Sequence, residues 1–239
     1  MARKARKSSG KQGRAWRWRL VALLLLVALA AGGWQWWEYV HWAPSRQAYP
    51  VQGVLVGEED GEVNFHGLRA IGADFAYLEA SRGAEGRDPS FSRNLAQIAD
   101  SGLQVGAVHR YDPCVGAETQ AANFVIIVPR DQALLPPAIE LDATAEGCES
   151  QVSDPEVESE LTTFLNQVEG HVGKHALLKI SPRFEDRYRI ARRIERDLWL
   201  QGDRFQPDYA GRPWMLWTAN SQLHTDAKSG GVRWVVLQP

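Results

Sequence analysis

From residue 51 onward, short apolar runs alternate with stretches of helical period, and that alternation restricts the chain to few folds. Strand-like runs fall at 51–56, 75–80, 103–108, 138–142, 176–180, 198–200, 213–217 and 232–237. Between them lie helical patterns at 63–71, 88–101, 117–128, 154–168 and 184–196. In the second of these, Phe91, Leu95 and Ile98 repeat at i, i+4, i+7 and Gly102 supplies a stop; in the fourth, Val157, Leu161, Leu165 and Val168 share one face. Strand and helix in alternation predict an α/β fold with a mainly parallel sheet. The roughly 190 residues involved are enough for one domain with a full core.

Within that frame, Leu135-Pro136-Pro137-Ala138-Ile139-Glu140-Leu141-Asp142 carries the most chemistry. Side chains alternate along a strand, so Glu140 and Asp142 share one face and Ile139 and Leu141 the other. Active sites of α/β folds lie at the C-terminal ends of parallel strands. A carboxylate pair there suits glycosidic bond cleavage, although a solvated rim or an arginine partner would use the same residues.

The N-terminus is different in kind. Residues 1–19 hold eight Lys/Arg (Arg3, Lys4, Arg6, Lys7, Lys11, Arg14, Arg17, Arg19) and no acid. An apolar run over 20–31 follows, extended through Gly32, Gly33 and Trp34 towards Trp36, Trp37 and Trp42, with Trp16 and Trp18 at its other end. Basic residues before the run and aromatic belts around it predict a single membrane anchor over 20–42, with residues 1–19 in the cytoplasm. A cleaved export signal ending near Ala28-Leu29-Ala30 is the competing reading; the long basic segment and the Trp-rich start favour the anchor. Either way the body is exported, to the periplasm or another extracytoplasmic space. Residues 43–50 read as a linker and 51–239 as the folded domain. Beyond the head, 19 basic residues face 29 acidic ones, which argues against a nucleic-acid partner.

Several stretches resemble glycoside hydrolase family 25, the lysozyme family that cleaves peptidoglycan between N-acetylmuramic acid and N-acetylglucosamine. Gly53-Val54-Leu55-Val56 stands where that family opens with Gly-Ile-Asp-Val-Ser. The run Gly72 to Gly83 follows its strand ending Lys-Ala-Thr-Glu-Gly. Asp88-Pro89-Ser90-Phe91, Val105-Gly106-Ala107-Val108-His109 and Gln120-Ala121-Ala122-Asn123-Phe124 fall on its next elements. Leu135 to Asp142 lies over Leu-Pro-Pro-Val-Leu-Asp-Val-Glu, and Trp214-Met215-Leu216-Trp217 is similar to its late Trp-x-x-Trp strand. The resemblance implies a flattened, irregular β/α barrel of the TIM-barrel type acting on peptidoglycan glycan strands without a cofactor.

It also exposes substitutions. The family's catalytic Glu is Asp142 here and its neighbouring Asp is Glu140. The first-strand Asp is Leu55, the Glu closing the second strand is Arg82, and the late Asp-x-Asn is Arg233-Trp234-Val235. Asp142 is one methylene short, and a misplacement of about 1 Å can cost on the order of a hundredfold. Arginines at the mouth would lower a carboxylic acid's pKa, the wrong direction for a general acid. The expectation is lost or much reduced muramidase activity. An active muramidase using Glu140 and Asp142 in a rearranged site, or a non-enzymatic envelope interaction module, are the alternatives. Candidate substrate contacts are Glu79, Arg82, His109, Tyr111, Trp217 and Arg233; a core role is the competing reading for Tyr111 and Trp217, and a core or capping role for His109. No metal site is expected, since His171 and His175 lack an acid to complete a zinc set. In the resembled fold the strands preceding Cys114 and Cys148 are neighbours, so these cysteines are expected to form a disulfide.

Overall fold

The computed structural model describes residues 10–239; Arg3, Lys4, Arg6 and Lys7 of the basic head lie outside the described residues. The chain divides into two compact units, one ending at His41 and one running from Trp42 to Pro239. The first is a single helix, α1 (Gly10–Val40). Its stretch Trp16–Val40 is long and apolar enough to cross a membrane, and none of it is buried. Its 25 residues rise about 37 Å at 1.5 Å each, more than the ~30 Å hydrocarbon core of a bilayer.

The second unit is mixed α/β around a closed eight-stranded barrel. Its strands are β1 (Gln52–Val56), β2 (Phe75–Arg82), β4 (Gln104–Arg110), β5 (Ala138–Leu141), β6 (Leu177–Ile180), β7 (Leu198–Gln201), β8 (Leu216–Thr225) and β9 (Lys228–Leu237), while β3 (Gly86–Arg87) hangs on β2 as a short hairpin. From β1 through β8 every neighbour pairs in parallel. β9 runs antiparallel to both β8 and β1 and so closes the barrel. A uniform (β/α)8 barrel has only parallel pairings; this one departs from it at β9. The β7–β8 connection, residues 202–215, also carries no helix among the described residues.

Helices α2 (Phe65–Ala70), α3 (Phe91–Ile98), α4 (Ala117–Ile127), α5 (Asp154–Val172) and α6 (Pro182–Tyr188) follow successive strands. α5 buries Val157, Leu161, Phe164, Leu165, Val168 and Val172 along one stripe, and Gly173 ends it in the left-handed region at φ 76°. The helical pattern expected over 184–196 is shorter in the structure. Arg189 turns to φ 53° and stops α6, and the Glu185 carboxylate accepts from Ala191 N at 2.9 Å to start a separate 3-10 turn. The late strands are longer than their apolar runs, because 218–225 and 228–231 form a hairpin whose outer half is polar.

Alternation along the strands builds two apolar layers. Leu55, Phe75, Tyr77, Val108, Ala138, Leu177, Trp199, Leu216 and Val235 fill the barrel interior. Residues of the opposite phase, among them Val54, Ala76, Leu78, Ile139, Leu141, Leu178 and Leu200, pack beneath the helices. Gly106 is where β4 lets Tyr77 in: a Cβ there would meet the Tyr77 ring at 2.4 Å. Cys114 and Cys148, on the loops after β4 and β5, are disulfide-bonded with Cα atoms 5.2 Å apart. The stretch 43–50, expected to be a linker, is packed on the barrel. Pro44 and Tyr49 are buried, and Gln52 Nε2 donates to both of their carbonyl oxygens at 2.9 Å.

Candidate active site

Two residues beyond the apolar interior layer, seven strands contribute one more inward side chain at the mouth: Glu79, Arg110, Glu140, Lys179, Gln201, Thr218 and Arg233; β1 contributes Leu55, an interior-layer residue paired with Arg233. The same alternation that aims Tyr77, Val108, Ala138 and Leu177 inward aims their successors at i+2. Leu55 is the one apolar member of this ring.

The charged members are paired. Glu140 receives Lys179 Nζ on one oxygen and faces Arg110 Nε at 3.3 Å with the other. Arg233 donates to Glu79 at 2.5 Å and to Asp60 at 2.9 Å, and lies 3.0 Å from Glu59. Asp60 is held further by Lys228 Nζ and by the Gly57 amide, each at 2.7 Å. Arg110 Nη1, 3.9 Å from Glu79, stands between the two glutamates. Trp199 Nε1 donates to Thr218 Oγ1 at 2.8 Å, tying the ring to the layer below.

The two glutamates are tuned in opposite senses. Burial alone would raise the Glu140 pKa, but Lys179, Arg110 and Arg233 outweigh it and hold it below the ordinary glutamate value. Burial pushes Glu79 up, Glu140 and Glu59 add to the rise, and Arg233 opposes it. Burial disfavours the Arg233 charge, while Glu79, Asp60 and Glu59 more than restore it.

Beside Arg233 and Lys179 opens a cavity of about 350 Å³, walled also by Gln201, Gly202, Asp203, Thr218 and Ser221. Asp203 is fixed there by Ser221, whose amide and hydroxyl donate to it at 2.7 and 2.8 Å. Arg82, exposed at the end of β2, lines a small recess with Glu79 and Arg110.

The mouth thus gathers Glu79, Glu140 and Arg233 of the residues singled out by sequence, with Arg82 at its edge. Asp142 lies one residue past the end of β5, exposed to solvent. His109, Tyr111 and Trp217 are elsewhere, which corrects the sugar-contact reading for all three. His109 is fully buried on the outer face of β4, bonded to Ser81 Oγ at 2.8 Å and packed on Phe164. Burial pushes its pKa down to about 4. Tyr111 is buried against the same phenylalanine. Trp217 is buried in the outer layer, donating to Gly202 O at 2.7 Å. Sequence reasoning missed Lys179, Arg110, Asp60 and Lys228. Lys179 did leave a signal, as a lone cation inside the apolar run Leu177-Leu178-Lys179-Ile180.

The sequence model of glycosyl hydrolases family 25 matches residues 56–228. The chain belongs to glycosyl hydrolases family 25. Among solved structures, a family 25 glycosyl hydrolase from Bacillus anthracis superposes with a TM-score of 0.74 at 24% identity, covering 84% of this chain and 94% of that one. A bacterial lysozyme from Streptomyces coelicolor gives 0.70 at 19% identity, covering 79% and 92%. Among curated relatives, the uncharacterised protein YegX of Escherichia coli K12 is 24% identical over 192 residues, 77% of this chain and 68% of YegX. Lysozyme M1 of Streptomyces globisporus is 28% identical over 101 residues, 41% of this chain and 34% of its own. The expected pattern set out above has aspartates at the positions of Arg233 and Leu55, and both residues lie at this mouth. Glu79 and Arg233 form an ion pair at 2.5 Å across this mouth.

Proposed function

We propose that this chain is a membrane-anchored family 25 protein whose barrel binds peptidoglycan glycan strands with lost or much reduced muramidase activity. The observation that carries the reading is Glu140, clamped as an anion between Lys179 and Arg110. A general acid must deliver a proton to the glycosidic oxygen, and a carboxylate with two cations on it holds none to give. Asp142 is exposed beyond the strand, so no surrounding structure fixes it in a reacting geometry. The family supports a glycan ligand. So does the cavity of about 350 Å³ beside Arg233, whose Thr218, Ser221, Gln201 and Asp203 offer hydrogen bonds of the kind sugar hydroxyls take. Glu79, Arg82 and Arg233 are the remaining candidate contacts. The basic head followed by the apolar helix supports residues 1–19 in the cytoplasm, an anchor over 20–42 and the barrel in the periplasm or extracytoplasmic space.

The test is the full-length chain in lipid nanodiscs, incubated with purified peptidoglycan. Sedimentation with the sacculi and no release of muropeptides is the expected result. Muropeptide release that disappears in both Glu140→Gln and Asp142→Asn would overturn the loss of activity, and failure to sediment would overturn glycan binding.

A further inference from the structure

We propose that a cavity at the end of the barrel opposite the mouth binds a short zwitterionic peptide, one that carries ammonium and carboxylate groups together. The site is separate from the glycan cavity; only the choice of a cell-wall peptide as a probe rests on the proposed function.

The cavity measures about 670 Å³, within the range of about 300–1,000 Å³ that small-ligand sites occupy. Its walls come from residues just ahead of β6, β7 and β8, namely His175, parts of 191–197, Gly211 and Arg212. The mouth lies at the other ends of these strands, and the two cavities share no residue.

These walls are fixed in place. The Arg212 guanidinium donates to Ala191 O at 2.5 Å, to Ile194 O at 3.4 Å and to Arg196 O. Arg196 donates to both oxygens of Glu169 at 2.6 and 2.9 Å, and Glu169 also accepts from Ala176 N at 2.9 Å. Gly211, at φ 63°, leaves room for Arg192: a Cβ there would meet Arg192 Nη2 at 2.5 Å. A site already in shape loses little binding energy to ordering.

Four charged side chains of this cavity have no charged partner at ion-pair distance among the described residues. Arg212 donates only to carbonyl oxygens, through Nε and Nη2, which leaves Nη1 for a ligand. The Arg192 guanidinium and the Glu195 and Asp197 carboxylates enter no hydrogen bond or ion pair among the described residues. Glu185 attracts both arginines from beyond ion-pair distance, and His175 and Arg196 share Glu169. On a convex surface such charges would simply be solvated. Here two cations and two anions wall one concavity, which selects against a ligand of a single sign. A polyanion drawn to Arg192 and Arg212 lies beside Glu195 and Asp197, and a polycation meets the reverse. A ligand bearing both signs matches both pairs, and each arginine offers the planar fork that a carboxylate takes. Short peptides with uncapped amines and carboxylates have that chemistry.

The full-length chain in lipid nanodiscs is titrated calorimetrically with a sugar-free cell-wall tetrapeptide, alanyl-γ-glutamyl-diaminopimelyl-alanine, and with the all-L peptide Ala-Glu-Lys-Ala. Binding of either is the expected result, and the tighter of the two identifies the source. Arg192→Gln and Glu195→Gln, at exposed positions, should each weaken binding about tenfold or more with an unchanged melting temperature. Acetylating the peptide amines or amidating its carboxylates should weaken it likewise. No binding of either peptide overturns the proposal and, since neither carries a sugar, leaves glycan binding at the mouth standing. Binding that ignores both substitutions puts the peptide elsewhere and overturns it too. Binding weakened by Arg192→Gln but indifferent to Glu195→Gln and to acetylation would make this a plain anion site, which overturns the zwitterionic ligand.

Discussion

Two layers of the barrel interior sit two residues apart on the same strands, yet they are stabilised by different physics. The inner layer is an apolar plug of Phe75, Tyr77, Trp199 and their neighbours, held by burial and close packing. The mouth layer is ionic, with Glu79, Glu140 and Asp60 each matched to Arg233, Lys179, Arg110 or Lys228. The packed layer holds up the barrel that the chain shares with its family, while the mouth layer carries the charges. A packed layer accepts few changes, whereas a mouth can be rewritten if every buried charge keeps a partner.

The strongest way to break this comparison is in the plug. Trp199→Ala removes a fully buried ring and a hydrogen-bond donor, and the expected loss is about 4 kcal/mol in urea unfolding. A loss under about 1 kcal/mol would mean that the plug is not a packed layer. Next is the centre of the mouth. Arg233→Met strands Glu79 in a buried site and should cost about 3 kcal/mol, with much of the loss recovered when Glu79→Gln is added. A double mutant no better than the single would show that the arginine acts through packing rather than charge.

The third prediction is an acid limb. The folded-state pKa of Glu140 is depressed, so its pairing stabilises the fold fully above the ordinary glutamate value of 4.5 and is lost as pH falls through the lowered value. Glu140→Gln should therefore flatten the fall in melting temperature below pH 4.5 and leave the slope above it unchanged. The smallest effect belongs to the surface. Arg193 meets Glu158 at 2.6 Å, about as close as Arg233 meets Glu79, but Arg193 is exposed and Glu158 only half-buried. Arg193→Ala should cost no more than about 0.5 kcal/mol, which isolates burial as the source of the difference.

The sequence made the plug more legible than the mouth. Apolar alternation located six of the barrel strands to within two residues, and the family resemblance located the disulfide. Alternation tells which residues share a face, not which face turns inward. In β4 helices cover the outside and side chains fill the inside, so both phases are apolar, and His109 was placed with the site although Arg110 is the residue that reaches it. The same ambiguity placed Trp217 at the mouth. Asp60 was hidden for another reason: it sits in a polar loop and is recruited by Lys228 and Arg233, which lie more than 160 residues later. The boundary of α6 depended on Arg189 accepting a left-handed backbone, which no local pattern announces.

The antiparallel closing strand bears on the order in which the molecule can be made. Glu59, Asp60 and Glu79 leave the ribosome well over a hundred residues before Arg233 and Lys228, the cations that neutralise them, and β9 is also what covers the free side of β1. Until the C-terminal hairpin arrives, a growing or translocating chain holds an open sheet edge beside unmatched acids. Those charges discourage stray pairing at that edge, and barrel closure waits for the last residues, as expected of contacts this distant in sequence. A chain cut short before β9 would therefore be left with an unclosed barrel and a stranded negative patch.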